Sequence, residues 1–306
     1  MTSDKSGGPQ GILLIDKAMG WTSHDVVAKA RRITRQRRIG HTGTLDPMAT
    51  GLLVLCLGSA TRVVEYMTRH DKRYVGEVAL GATTDTDDAE GTILKERAVP
   101  TLGEERLRHL EAHFSGAIEQ VPPAYSAIKV AGERAYAVAR KGGHLELAPR
   151  PVQVHSITLR PLIAGLQPAL AVEVHCGPGT YIRSLARDIG REVGCGAHLR
   201  SLRRVSVAAF DVQQAWTLDQ LEALTNAGLL EEILLSPDEG IATWECAIVG
   251  EETATRFGHG LATTIEAALP HSESPIRVYS GEGGFLGVAV ITSVEQLKPL
   301  KVLAAV

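Results

Sequence analysis

One stretch constrains this chain more than any other: Gly40, His41, Thr42, Gly43, Thr44, Leu45, Asp46, Pro47, Met48, Ala49, Thr50, Gly51. It is too rich in glycine for a helix interior and lacks the alternation of an ordinary strand. Glycines admit positive φ or the close approach of another backbone. Pro47 confines Asp46 to extended conformations and stiffens the turn beyond it. The apolar run Leu52 to Leu57 then reads as a buried strand. The plain reading is a turn in which Asp46 and the threonines make local hydrogen bonds. The alternative is a stiff loop that holds one carboxylate in a set position.

A chain of 306 residues is longer than one compact core usually supports, which suggests a large domain followed by a small one. The polar stretch Met1 to Gln10 has no apolar signal region and is expected to be disordered; no run is long enough to span a bilayer. Cys56, Cys176, Cys195 and Cys246 are scattered, without a Cys-x-x-Cys pair. That pattern suits reduced thiols in a cytoplasmic protein and argues against a disulfide framework or structural zinc. The formal net charge is −3, but Lys29, Arg31, Arg32, Arg35, Arg37 and Arg38 crowd one segment, and Arg200, Arg203 and Arg204 form a second set. Basic residues are few beyond Gly240. An uneven distribution of this kind points to a polyanionic partner; a solvated helix face is the bland alternative.

The patterning predicts strands at Gly11–Ile15, Leu52–Leu57, Lys72–Leu80, Val152–Leu159, Leu170–His175 and Val205–Phe210. It predicts helices at Ser23–Arg35, Ala60–Met67, Glu104–Phe114, Ala135–Lys141 and Tyr181–Val193, and one capped by Thr217 and Gln220 that runs to Ala227. Thr83–Gly91 is a polar, acidic loop whose spacing fails the calcium-loop pattern. From Thr243 onward short strands (Cys246–Val249, Ile276–Tyr279, Phe285–Ile291) read as a small all-β module. The expected organisation is residues 1–10 disordered, 11–240 a main domain and 241–306 a β domain.

Other polar residues are candidates to join Asp46. Arg183, flanked by Ile182 and Leu185, could pair with a carboxylate bidentately or make a helix-surface salt bridge. Tyr74 could stack on a planar ligand or simply pack within its strand. His41 could be an acid, a base or a loop hydrogen-bonder. Metal-ligand spacing, dinucleotide and P-loop fingerprints, a serine-hydrolase elbow and a glycosidase carboxylate pair are all missing from the sequence.

The central run resembles the signature of the TruB family of tRNA pseudouridine synthases, with Asp46 at the catalytic aspartate. Further stretches are similar in the family's order. Gly11 to Ser23 matches its opening motif, with Ala18 where proline is usual. Tyr74 matches the tyrosine of its K-x-Y strand, and Gln120 to Lys129 its Q-x-P-P-x-Y-S-A-x-K segment. Gly179 to Leu185 resembles G-T-Y-I-R-S-L, which puts Arg183 at the active-site arginine, and Gly194 to Arg203 is similar to G-x-G-A-H-x-x-x-L-R. Gly287 and Leu297 to Val302 look like its PUA-like domain.

The resemblance implies an α+β fold: a mixed, largely antiparallel sheet of pseudouridine synthase type with flanking helices, plus a small all-β PUA-like domain. It implies isomerisation of uridine 55 in the tRNA T-loop, with an accompanying tRNA-folding role compatible with the same surface. The expected partner is the T-loop and T-stem of tRNA. No cofactor, metal or membrane is expected, and the chain is expected to act as a monomer. Asp46, Tyr74 and Arg183 would carry the chemistry. His41, Gly43, Thr44, Tyr181, Leu202, Arg38 and Arg62 would contact the substrate, with His41 filling the space left by the flipped nucleotide. Two other classes stand beside this one: a protein that keeps the basic patch and captures a base without reacting, and an N-glycosidase that would release free uracil.

Overall fold

The structure is a computed structural model that describes residues 8–125, 129–130, 133–134, 147–162, 168–264, 274–293 and 296–303. Its centre is a mixed sheet with nine strands among the described residues. They are β1 (Gly11–Lys17), β2 (Ile39–His41), β3 (Thr50–Leu57), β4 (Lys72–Leu80), β5 (Gly116–Gln120), β6 (Arg150–Leu162), β7 (Ala169–Cys176), β8 (Ala197–Val207) and β9 (Phe210–Asp211). The main path runs β1-β3-β8-β4-β7-β6-β5, with β2 on β3 and β9 on β8. The β8–β3 pairing is parallel and the rest are antiparallel.

Strands β1 and β3 are apolar on both faces because both faces are covered. Leu13, Ile15, Leu53, Leu55 and Leu57 enter the larger core, together with Val26, Val27 and Ala30 of the helix Ser23–Thr34. Ile12, Leu14, Leu52, Val54 and Cys56 alternate to the opposite side. There they meet Met67 and Ile241, and the C-terminal tail reaches them through Val288, with Trp244, Phe285 and Leu303 beside it. The tail sheet comprises Cys246–Val249, Thr263–Thr264, Ile276–Ser280, Phe285–Ser293 and Gln296–Val302. It is accompanied by a helix, Glu251–Gly258, which buries Ala254 and Phe257 and which the strand pattern does not signal.

Several sequence expectations need adjustment. The strand expected at Val205–Phe210 is instead the eleven-residue β8, which begins at Ala197 and is separated from β9 at Ala208, where φ is +50°. Two register shifts and the polar residues His198, Arg200, Ser201, Arg203 and Arg204 break its period-two pattern, so the run does not read as a strand. Ala60–Met67 divides into a 3-10 turn, Gly58–Val63, and a single α-turn, Val64–Met67. The expected helix Ala135–Lys141 and residues 1–7 of the N-terminus lie outside the described residues. The carbonyl of Pro9 accepts a hydrogen bond from Gln36 at 3.0 Å.

Candidate active site

The loop between β2 and β3 is fixed from three directions. Leu45, Met48 and Ala49 are buried in the larger core. Ser23, at the start of the first helix, exchanges hydrogen bonds with the backbone of Leu45, at 2.9 Å from its N–H and 3.2 Å to its carbonyl. Lys17, fully buried at the end of β1, donates to the carbonyls of Trp21 (2.7 Å), Ala18 (3.0 Å) and Pro47 (3.2 Å), tying the loop to the turn after β1. Burial pushes the Lys17 ammonium down to about 8, against the pull of Asp46. From below, the buried Arg204 guanidinium donates to Leu52 (2.7 Å) and Gly43 (3.0 Å) carbonyls. Gly51 closes the loop at φ +99°; a Cβ there would lie 2.3 Å from the Arg204 carbonyl oxygen, which leaves room only for glycine.

Asp46 presents its carboxylate to Arg183. The Arg183 side chain is 6% exposed and that of Asp46 is 35% exposed, so one partner is locked and the other is reachable. Arg183 Nη2 donates to Oδ1 at 3.2 Å, while Nε lies 2.8 Å from Oδ2 but out of line for a hydrogen bond. The guanidinium is held from behind by the carbonyls of Thr86 (3.1 Å) and Tyr125 (2.9 Å), and by Asp88 at 3.6 Å. It reaches this place because the helix Ile182–Val193 buries the face carrying Ile182, Arg183, Leu185, Ala186 and Ile189. The amide of Gln120 anchors the helix start by accepting from Tyr181 N–H (2.8 Å) and donating to Tyr181 carbonyl (3.0 Å).

These groups line a cavity of about 320 Å³ whose walls include Asp46, Tyr74, Arg183, Tyr181, Leu202 and Tyr125. A space of that size accepts one nucleobase with part of its sugar. Tyr74 is 8% exposed on β4; burial pushes its phenol up, and the adjacent Arg204 works against that push. Lys72, two residues earlier on the same strand, also faces the cavity and is lowered to about 8, chiefly by burial. Its ammonium donates to the carbonyls of His70 (2.6 Å) and Thr68 (3.3 Å).

The sequence candidates divide. Asp46, Tyr74, Arg183, Gly43, Thr44, Tyr181 and Leu202 all line the cavity. His41 does not; it stands half-buried on β2, edge-to-face with His24 at 6.0 Å, and burial lowers its imidazole so that it is neutral near pH 7. Arg38 is half-buried just ahead of β2, and Arg62 donates to the Val302 carbonyl at the seam with the tail, away from the cavity. The second basic set is not a free cationic face. Arg203 grips Asp16 bidentately at 2.7 and 3.0 Å, Arg200 lies 3.6 Å from Glu77, and Arg204 is inside. In the first set Arg32, Arg35 and Arg37 are exposed, while Arg31 caps the Ile39 carbonyl. Sequence reasoning misses Arg204, Lys72 and Asp88 as parts of the site. Arg204 is concealed by its neighbours in an arginine cluster, and Asp88 by an acidic loop that resembles a solvated turn.

Residues 31–182 match the TruB family pseudouridylate synthase N-terminal domain, residues 183–241 the tRNA pseudouridylate synthase B C-terminal domain, and residues 247–303 the pseudouridine synthase II TruB C-terminal domain. The tRNA pseudouridine synthase B of Xanthomonas axonopodis pv. citri is 43% identical over 290 residues, 94% of this chain and 92% of its own. The chain belongs to the TruB family. A second TruB relative, tRNA pseudouridine synthase B of Synechococcus elongatus, is 41% identical over 297 residues, covering 97% of this chain and 99% of the relative. The same fold occurs in the archaeal box H/ACA sRNP Nop10-Cbf5 complex, with TM-score 0.71, 21% identity, and 96% and 86% of the two chains covered. It occurs again in a Cbf5-Nop10-Gar1 complex, with TM-score 0.73, 22% identity, and 99% and 91% covered.

Proposed function

We propose that this chain isomerises uridine 55 in the T-loop of tRNA to pseudouridine, with Asp46 as the group that acts on the flipped nucleotide. The observation that carries the residue assignment is the partly exposed Asp46 carboxylate held against a buried arginine in a base-sized cavity. Isomerisation breaks the N1–C1′ bond, turns the base, joins C5 to C1′ and releases the C5 hydrogen as a proton; nothing is oxidised or hydrolysed. One carboxylate suffices, either by attacking the nucleotide or by stabilising the sugar cation and taking its proton.

Arg183 orients that carboxylate. Extruding the base from its stack costs a few kcal/mol. Stacking on Tyr74 returns roughly 1–3 kcal/mol. The neutral imidazole of His41, outside the cavity, is suited to occupy the gap left in the T-loop. Arg32, Arg35 and Arg37 would meet phosphates of the T-stem, so binding weakens with salt. We place the chain in the cytoplasm as a monomer, and assign residues 11–240 to catalysis and residues 241–306 to a PUA-like β domain.

The test is release of tritium from C5-labelled uridine in a tRNA T-loop substrate. Asp46→Asn should lower the rate by at least about 10³-fold while tRNA affinity stays within a few fold. Appreciable pseudouridine from that variant would sink the assignment of Asp46. Free uracil among the wild-type products would instead make the chain an N-glycosidase.

A further inference from the structure

Outside the catalytic cavity, one group of three imidazole and carboxylate side chains converges among the described residues: Asp71, His155 and His175. His155 Nε2 lies 3.0 Å and His175 Nε2 4.0 Å from the same oxygen, Asp71 Oδ2. The two rings sit tilted with centroids 4.6 Å apart, and all three ligand atoms fall within 4.8 Å of one another.

The sheet builds this convergence from three adjacent strands. In the β6–β7 ladder, Val154 pairs with Cys176 and Ser156 with His175, so His155 is the extra residue of a bulge. A bulge bends its strand and re-aims a side chain. In the β7–β4 ladder His175 stands opposite Arg73, and Asp71 lies immediately before β4. The triad thus gathers where β4 begins. It flanks the catalytic cavity: Gly177 lines that cavity, and a Cβ there would come 3.7 Å from Asp71 Oδ1.

From this geometry we infer that Asp71, His155 and His175 form a binding site for one divalent ion of the zinc class. Two imidazole nitrogens and one carboxylate oxygen are the donors of an open three-ligand zinc site, which leaves a coordination position for water. The side chains are 45%, 36% and 27% exposed for Asp71, His155 and His175, so that position faces solvent. A tetrahedral ion with ligands near 2.0–2.1 Å sets its donors about 3.4 Å apart, so from a spread within 4.8 Å the widest pair closes by at most about 1.4 Å and the 3.0 Å His155–Asp71 pair opens slightly. Imidazole donors select zinc, nickel or copper over magnesium and calcium. Without an ion, a single carboxylate oxygen faces two imidazole nitrogens and only one of them sits at hydrogen-bond distance.

The experiment is calorimetric titration of the untagged, chelator-treated full chain with zinc chloride, in parallel with the His155→Ala/His175→Ala double variant. The expected result is one saturable site per wild-type chain and at least about tenfold weaker binding in the variant. X-ray absorption of the zinc-loaded protein should show a nitrogen and oxygen shell without sulfur. A thousandfold excess of magnesium should leave the zinc isotherm unchanged; competition by magnesium would overturn the assignment of ion class. Zinc uptake that is equal in wild type and double variant, or that shows sulfur ligation, would place the ion elsewhere, with the exposed Cys246 thiol the first suspect, and would overturn the site. Absence of saturable uptake by the wild type would overturn it as well. Circular dichroism of the double variant, whose changes lie on partly exposed positions, confirms that a loss of binding is not a loss of fold.

Discussion

Two loops offer a carboxylate to the same arginine, and they use it in opposite ways. Asp46 comes from the tight loop between β2 and β3, approaches Arg183 to 2.8 Å and keeps its side chain 35% exposed. Asp88 comes from the acidic loop after β4, stands 3.6 Å from Arg183 and is 5% exposed. Asp88 is committed to its own loop: one oxygen accepts from the Thr86 hydroxyl at 2.5 Å and from the Glu90 N–H at 3.1 Å. Asp46 has no such commitment to its loop backbone among the described hydrogen bonds; the loop is fixed through Leu45, Pro47 and the carbonyls instead. On the proposed reading, the carboxylate that acts on the nucleotide is left accessible while its backbone is immobilised, and the carboxylate that only holds its neighbour is buried and satisfied.

The sharpest way to break this comparison is to neutralise each partner in turn. Asp46→Asn should remove at least about 10³-fold of turnover. Tyr74→Phe keeps the stacking face and loses the hydroxyl, so we expect near-total loss of turnover with substrate affinity and folding intact. Because burial raises this phenol, any proton-accepting role for Tyr74 requires wild-type single-turnover rates to climb with pH above neutrality. A flat profile would remove that role. Asp88→Asn should cost less, about 10- to 100-fold in kcat with little change in KM, since it only loosens the aim of Arg183. Equal losses for Asp46→Asn and Asp88→Asn would erase the distinction between the two loops.

The smallest effect concerns the clamp. Lys17 binds its proton less tightly folded, at about 8, than at its ordinary 10.5, so the unfolded chain holds more protons between those values. The Lys17 contribution to stability therefore rises as pH increases from about 8 to about 10. Denaturant midpoints measured at both ends should rise more for wild type than for Lys17→Met. An identical pH dependence in the two proteins would count against the buried position of that ammonium.

Much of this architecture is legible in the sequence alone. The apolar runs of β1 and β3, the alternation in β4, the caps at Thr22 and Thr217, and the apolar flanks of Arg183 obey local rules and give local answers. Resemblance to a family puts Asp46, Tyr74 and Arg183 together, and the fold brings them to one cavity. Tertiary contact decides the features that local rules miss. β8 escapes notice because bulges break its period and its arginines look solvent-bound. Arg204 reads as one of a basic set facing a polyanionic partner, yet it is 1% exposed and donates to the Leu52 and Gly43 carbonyls. The unbroken apolar runs of β1 and β3 show two buried faces, but not that the second core takes in Ile241 and Val288 of the tail alongside Ala60, Val63 and Met67.

That last contact has a consequence for how the molecule can be divided. Val288, Phe285 and Leu303 complete the second core, and Tyr66 meets Trp244 edge-to-face with centroids 5.0 Å apart. Lys301 reaches Glu65 at 2.6 Å and Tyr279 reaches Asp238 at 2.6 Å across the same seam. A chain cut after Gly240 would therefore lose Ile241 and Val288 from the core that holds Ile12, Leu14, Leu52 and Val54, and would uncover part of that core to water. The C-terminal tail completes one of the main domain's two cores, so a shortened protein should be less stable and more prone to aggregate, which denaturant titration and light scattering would measure.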